Sequence, residues 1–373
     1  MKLLTTFLAF CAVSTWAQAT SAPLVIKSEG CVGVVFLQFS PDGTELAREC
    51  GFAPIQLFDT ATYRKSRTFR PEIDYTPELT GFDYSPDGKT MATARNHSGA
   101  LIWKADDPGK PVPHDGQTLK SFYGVDEVYA LDKPLHVLQG PNPRGDDFAS
   151  VLSINYSPDG KLLLTKHQSG QVKIWNAFTW ELQSELTVSE KGNKALFSSL
   201  AIAPDSKSFV IGDQNGLLHI WSIESKSEIR AVRSLDGSGK IVANLVFSPD
   251  GKTLVAIHQG KRFNDGVAVL WNTTGWSAHS MSGYSSAAFS RDGQLLAVGG
   301  PDIRLFDPSG KEVNAINIPA FTRGEVLPGS AGRPDAGEKI PCGVSALAFS
   351  PDGATLAVGC FEGTLRIVGL SSH

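Results

Sequence analysis

Apolar and polar residues alternate in short runs along most of the chain, as in Val35-Phe36-Leu37-Gln38-Phe39 and Thr253-Leu254-Val255-Ala256-Ile257. A period of two over four to eight residues predicts half-buried β-strands. The runs come in pairs around a Pro-Asp-Gly segment, so each pair reads as a hairpin. A polar-Gly pair such as Ser98-Gly99, Ser169-Gly170, Asn215-Gly216, Asp265-Gly266 or Glu362-Gly363 then turns the chain into a third strand. Third strands such as Gln171–Trp175 and Gly216–Trp221 end in a large residue, and a more polar fourth segment follows, as in Glu181–Val188. The predicted unit is therefore four antiparallel strands, graded from apolar to polar.

That unit recurs. The turn appears as Phe39-Ser-Pro-Asp-Gly43, Tyr84-Ser-Pro-Asp-Gly88, Tyr156-Ser-Pro-Asp-Gly160, Ile202-Ala-Pro-Asp-Ser206, Phe247-Ser-Pro-Asp-Gly251, Phe289-Ser-Arg-Asp-Gly293 and Phe349-Ser-Pro-Asp-Gly353. Ser and Asp cap turns through their side chains, Pro presets φ, and Gly accepts φ > 0. Successive Asp residues (42, 87, 159, 205, 250, 292 and 352) are separated by 45, 72, 46, 45, 42 and 60 residues. Two long intervals thus carry inserts, placed at Ala105–Lys133 and at Ala320–Pro341. Sixteen residues after the Asp come Phe58, Trp103, Trp175, Trp221 and Val368, while Trp271 and Phe306 follow at 21 and 14.

A strand, a Pro-Asp-Gly turn, a strand, a polar-Gly turn, a strand ending in Trp and an outer strand together resemble the WD-repeat family. The resemblance implies an all-β, seven-bladed β-propeller and a protein-binding role. Two features depart from the family pattern. The Gly-His pair before the first strand is missing, and Asp follows the Trp position only at Phe58-Asp59 and Phe306-Asp307. The family's internal Asp-His-Ser/Thr-Trp network is therefore not expected here. Too few residues follow Val368 for an outer strand, whereas Pro23-Leu-Val-Ile-Lys27 is a spare apolar strand. It is expected to complete the last blade and close the ring without an unpaired edge.

The ends and the composition add a compartment. Lys2, an apolar run from Leu3 to Trp16 and Ala17-Gln18-Ala19 read as a signal peptide over residues 1–19, leaving a single propeller over 20–373. No later apolar run is long enough for a spanning helix. The net charge of −4 offers no basic excess for phosphate backbones, so nucleic acid is disfavoured. The basic cluster Arg64, Lys65, Arg67 and Arg70 falls in an outer strand, where charge commonly protects an open edge. An exported chain, periplasmic or extracellular and monomeric, is expected. Four cysteines remain after cleavage, which suits disulfides. Cys31 and Cys50, like Cys342 and Cys360, flank a Pro-Asp-Gly hairpin, so Cys31–Cys50 and Cys342–Cys360 are predicted, each worth on the order of 3 kcal/mol. The alternative pairing, Cys31–Cys342 with Cys50–Cys360, joins equivalent positions of neighbouring blades.

No catalytic, metal or cofactor motif stands out. His97, His167 and His258 occupy one rim of their blades, either as ligands near the axis or as hydrogen-bonded histidines. Asp83 and Asn155 in innermost strands are expected to satisfy backbone groups between blades. The link between blades six and seven and the lengthened turn of blade five share one face. Long loops on a rigid scaffold commonly carry binding. Candidate partner-binding residues on that face are Lys261, Arg262, Phe263, Phe321, Arg323, Glu325 and Arg333. The insert of blade two falls on the opposite face, with Asp106, Asp107, His114, Asp115, Asp126 and Glu127. The expected function is a non-enzymatic, cofactor-free protein-binding scaffold. The alternative is a ligand-binding or hydrolytic, lactonase-like propeller that uses its axial channel.

Overall fold

The structure is a computed structural model, and it describes residues 22–26, 31, 33–50, 55–70, 79–95, 99–107, 110–111, 129–130, 134–138, 151–188, 199–259, 265–322, 339–340, 342 and 343–370. These residues form strands, turns and bends, with no helix among them. The strands assemble into seven sheets, each built on four antiparallel strands, the seven blades of a β-propeller. Blade three shows the plan. Val151–Tyr156 pairs with Leu162–His167, which pairs with Gln171–Asn176, which pairs with Leu182–Thr187. Its two middle strands are buried, whereas its outer strand is mostly polar and mostly exposed. The gradient read from the sequence is thus the gradient from core to solvent.

Blades pack face to face, so the core is a ring of interfaces between them. Trp175, Leu163 and Ile154 of blade three lie against Ala92, Ala94 and Ile102 of blade two. The same arrangement sets Trp103 and Tyr84 of blade two against Ala47 and Leu57 of blade one. Large residues at the ends of third strands therefore fill the gap between one sheet and the next. Burying a side chain of that size is worth roughly 2–3 kcal/mol.

The Pro-Asp-Gly turn is a hydrogen-bonded module. In blade three the Ser157 hydroxyl donates to Asp159 at 2.7 Å and accepts the Leu162 N–H at 2.9 Å. The Asp159 carboxylate also accepts the Lys161 N–H at 3.1 Å. The same serine and aspartate bonds recur in blades one, two, five, six and seven. The Ser hydroxyl, then the backbone N–H, holds the carboxyls of Asp42, Asp87, Asp250 and Asp352 below the usual carboxylate range. Blade four departs from the motif. Ala203 has no hydroxyl to offer, and Ser206 occupies the glycine position at φ +58°.

The position after the large aromatic also has a physical reading. Asp59, Asn176, Asn272 and Asp307 each accept backbone N–H groups of the next turn through one side-chain oxygen. Ser222 does so with its hydroxyl. In these five blades the position supplies an acceptor rather than a charge, so Asp there gives way to Asn and Ser. Part of the internal polar network is present after all. Trp103 donates to Thr93 and Trp175 to Thr165, both at 3.0 Å, and Thr165 meets His167 at 3.0 Å.

Ring closure follows the expected route. Leu24–Ile26 pairs antiparallel with Leu365–Gly369 and becomes the outer strand of blade seven. Cys31 and Cys50 are joined with Cα atoms 5.2 Å apart, and Cys342 and Cys360 with Cα atoms 5.4 Å apart, so both disulfides lie within a blade. The two stapled blades are neighbours across the seam. Gly363, at φ +89°, packs so tightly there that a Cβ would lie 2.0 Å from the Cys31 carbonyl oxygen.

One expectation needs correction. The outer strand of blade one, Lys65–Arg70, is not an open edge: Tyr129–Ala130 of the blade-two insert runs parallel to it, with Lys110–Pro111 beyond. Arg67 is drawn inward, to Glu45 at 2.8 Å and to the carbonyls of Ala105 and Asp107. The insert itself supplies the covering strand. Its residues His114, Asp115, Asp126 and Glu127 lie outside the described residues.

The turn chemistry yields a paired test by urea unfolding. Ser157→Ala removes a buried hydroxyl and is expected to cost about 1–2 kcal/mol, whereas Ala203→Ser restores the module and gains up to about 1 kcal/mol. Equal effects of the two substitutions contradict the module.

Candidate functional site

The propeller has two unlike faces. One carries the Pro-Asp-Gly turns and the links from third to fourth strands. The other carries the turns from second to third strands and the links between blades. On that second face, Phe321–Thr322 pairs antiparallel with Lys339–Ile340, so the long link of blades six and seven rises from a two-stranded stem. Its base is tied from below. Cys342 is held by Cys360, and Arg366 donates to the Pro319 carbonyl at 2.6 Å while meeting Glu362 at 3.4 Å. Thr364 completes the shell by donating to Glu362 at 2.8 Å. The turn of blade five has a tether of its own, Lys240 reaching the Asp265 carbonyl at 2.5 Å.

Of the candidate partner-binding residues, Phe321 is in the stem, where its backbone pairs with Ile340. Lys261, Arg262, Phe263, Arg323, Glu325 and Arg333 lie outside the described residues.

Beneath this rim the second and third strands hold ionisable residues that alternation alone did not single out. Arg48, Glu49, Lys166 and Lys173 are all buried. The Arg48 guanidinium lies 4.8 Å from the Phe58 ring centroid, bonds Gln56 and reaches the Gly363 carbonyl at 3.5 Å across the seam. Burial pushes the Glu49 carboxyl up to about 8 and brings the Lys166 ammonium down to about 7. The available signal was charge inside otherwise apolar runs, Ala47-Arg48-Glu49-Cys50 and Leu164-Thr165-Lys166-His167.

Neither described histidine of this rim, His167 or His258, is among the residues that wall the axial cavity. His167 and His258 are both buried, each in the second strand of its own blade, and His97 lies outside the described residues. Burial, then Lys173, lowers His167 to about 3; burial, then Lys240, lowers His258 to about 4. Both rings are neutral at pH 7. Cys342, Cys360 and Glu362 bring ligand-type atoms within 4.8 Å of one another. With both sulfurs in a disulfide and Glu362 engaged by Arg366 and Thr364, that cluster offers no thiolate for a metal.

The axis holds a cavity of about 570 Å³ walled by innermost strands of blades one, two, three, five, six and seven. Polar groups gather on one side. Gln38 donates to Asp83 at 2.8 Å, and the other Asp83 oxygen accepts the Tyr156 N–H at 2.8 Å, so Asp83 bridges blades one, two and three. Burial lifts its carboxyl to about 6 despite those bonds. Asp83 thus satisfies a backbone group between blades. At the turn-face mouth, prolines of one blade face glycines of the next: a Cβ on Gly43, Gly88, Gly160, Gly251 or Gly293 would lie 3.4–3.8 Å from a neighbouring proline. Blade six breaks the ring, because Arg291 stands in place of proline and donates to the Pro41 carbonyl at 3.2 Å.

Fold and repeats together define a seven-bladed β-propeller, and two segments of it are similar to the WD-repeat family. Residues 132–176 and 339–368 match the family described as WD domain, G-beta repeat. The chain is similar to Protein LST8 homolog of Drosophila pseudoobscura pseudoobscura, 25% identical over 65% of this chain and 65% of that protein. It is likewise similar to a guanine nucleotide-binding protein subunit beta of Nicotiana tabacum, 25% identical over 58% of this chain and 55% of the relative. WD repeat-containing protein 82 of Drosophila melanogaster is 26% identical over 45% of this chain and 47% of its own length. The chain therefore spans about half to two thirds of the length of the curated relatives it matches.

The buried His258 sets a pH test. Its folded value lies below the ordinary value of about 6.5, so its stability contribution is full above that pH and falls as pH drops towards 4. Relative to its own stability at neutral pH, His258→Phe should lose less than the parent on acidification. By urea unfolding, the gap between the two should shift towards the variant by about 2 kcal/mol between neutral pH and about pH 4.5. A gap independent of pH contradicts the buried neutral imidazole.

Proposed function

We propose that this chain is an exported protein-binding scaffold whose binding face is the rim carrying the links between blades. The single observation that carries this reading is the anchored stem Phe321–Thr322 with Lys339–Ile340, tied at its base by Cys342–Cys360 and by Arg366 on Pro319. Residues 323–338 leave from that stem, and they include Arg323, Glu325 and Arg333. A fixed base beneath a long link suits a scaffold that presents side chains to a partner. Aromatic and arginine residues in such a link match the composition of interface anchors. A relative whose name makes it a subunit of a guanine nucleotide-binding protein works within an assembly, and this chain is read by analogy as a protein-interaction module.

Export rests on the signal-like residues 1–19 and on two cysteine pairs at disulfide distance, a pattern favoured in oxidising compartments. Periplasmic or extracellular placement, a monomeric state and action without a cofactor belong to the same proposal. A hydrolytic channel is the weaker reading. Among the residues that wall the axial cavity, Asp83 is a lone carboxylate without a histidine or second carboxylate beside it. Acid–base hydrolysis commonly needs two such groups in reach of one substrate.

The test is a comparative affinity capture from the fraction in which the chain resides. The full chain is compared with one in which residues 323–338 are replaced by a short Gly-Ser turn on the intact stem. The expected result is a partner retained by the full chain and lost from the shortened one, with unchanged thermal unfolding. The same partner captured equally by both removes this rim from consideration.

A further inference from the structure

Four residues before each turn Asp, the innermost strands place Gln38, Asp83, Asn155, Ala201, Val246, Ala288 and Ala348 in blades one to seven. The axial cavity is walled by all of these except Ala201. Its wall is therefore divided. Blades one to three offer an amide, a carboxylate and a second amide, whereas blades five to seven offer Val246, Ala288 and Ala348 at the same register. Val35, 61% exposed although apolar, adds to the uncovered apolar surface of the cavity.

The polar side has spare acceptor capacity. Gln38 donates its amide to Asp83, which fixes the orientation of that amide and leaves its Oε1 buried with no hydrogen-bond partner. Each carboxylate oxygen of Asp83 accepts one side-chain or backbone bond from a neighbouring blade, and an ionised carboxylate can accept about four in all. The remaining capacity of Asp83 favours an incoming donor on this arc. The other charged group at the wall, Arg291, lies at the mouth and is tethered to the Pro41 carbonyl. It does not neutralise Asp83 by any bond in the structure. A volume of about 570 Å³ falls in the range of small-molecule pockets, which run from about 300 to 1,000 Å³.

We infer that the axial cavity binds a small amphiphilic organic cation, its ammonium head donating to Asp83, its apolar body against Val246, Ala288 and Ala348. A positive head supplies the counter-charge that Asp83 lacks. An apolar body suits the opposite wall at Val246, Ala288 and Ala348. The site is separate from the rim proposed for protein binding, so either can fail alone.

Calorimetric titration of the full chain with 2-phenylethylammonium, and with neutral 2-phenylethanol, tests the inference at a pH of about 7.5, where amine and carboxyl carry opposite charge. The ammonium is expected to bind at one site and the alcohol at least tenfold more weakly. Asp83→Asn should weaken the ammonium by about tenfold or more, a loss of about 1.4 kcal/mol, and leave the alcohol unchanged. Ala348→Phe fills the apolar wall, leaves Asp83 in place and should abolish binding of both. Equal affinity for the two probes, no saturable binding of either, or ammonium binding that survives Ala348→Phe overturns the inference. Calcium binding that saturates and is lost in Asp83→Asn, without ammonium binding, also overturns it in favour of a metal site. Should Asp83→Asn fail to fold, the two-probe comparison on the parent chain and Ala348→Phe decide.

Discussion

A propeller is a ring of sheets, and each sheet buries its faces only if both neighbours are present. Closure at the seam is therefore the constraint on which every other interface rests. Here the outer strand of blade seven is supplied by Leu24–Ile26, from the opposite end of the chain. The seam is reinforced on both sides by the disulfides of blades one and seven, and Arg48 of blade one reaches the Gly363 carbonyl of blade seven. Chain closure, covalent staples and a buried cation thus converge on the one place where the ring could open.

The regular parts of this architecture were legible in the sequence because they repeat for a physical reason. A serine hydroxyl, an aspartate oxygen and a residue at positive φ build one turn, and that turn occurs wherever the three coincide. Even the exception is readable: Ala203 and Ser206 keep the turn with fewer side-chain bonds. The variable residue after the aromatic became intelligible once its task proved to be capping, which Asn176 and Ser222 perform as Asp59 does.

What the sequence left hidden depends on contacts between blades. The fate of the Lys65–Arg70 edge could not be read locally, because the strand that covers it comes from an insert more than fifty residues later. The buried group Arg48, Glu49 and Lys166 was equally obscure, since charge within an apolar run does not say which neighbour receives it. The candidate residues of the rim were legible only as composition. Their supporting stem and its ties to Pro319 and Cys360 became visible in three dimensions. The divided wall of the axial cavity arises in the same way, from one register position repeated around the ring.

The most direct test of a ring stapled on both sides of one seam is to map the cysteines of the protein isolated without reductant. Proteolysis and mass spectrometry should return two linked pairs, Cys31 with Cys50 and Cys342 with Cys360. Free thiols at these positions would contradict the staples and the proposed export, and a peptide joining Cys31 to Cys342 would contradict their pairing within blades.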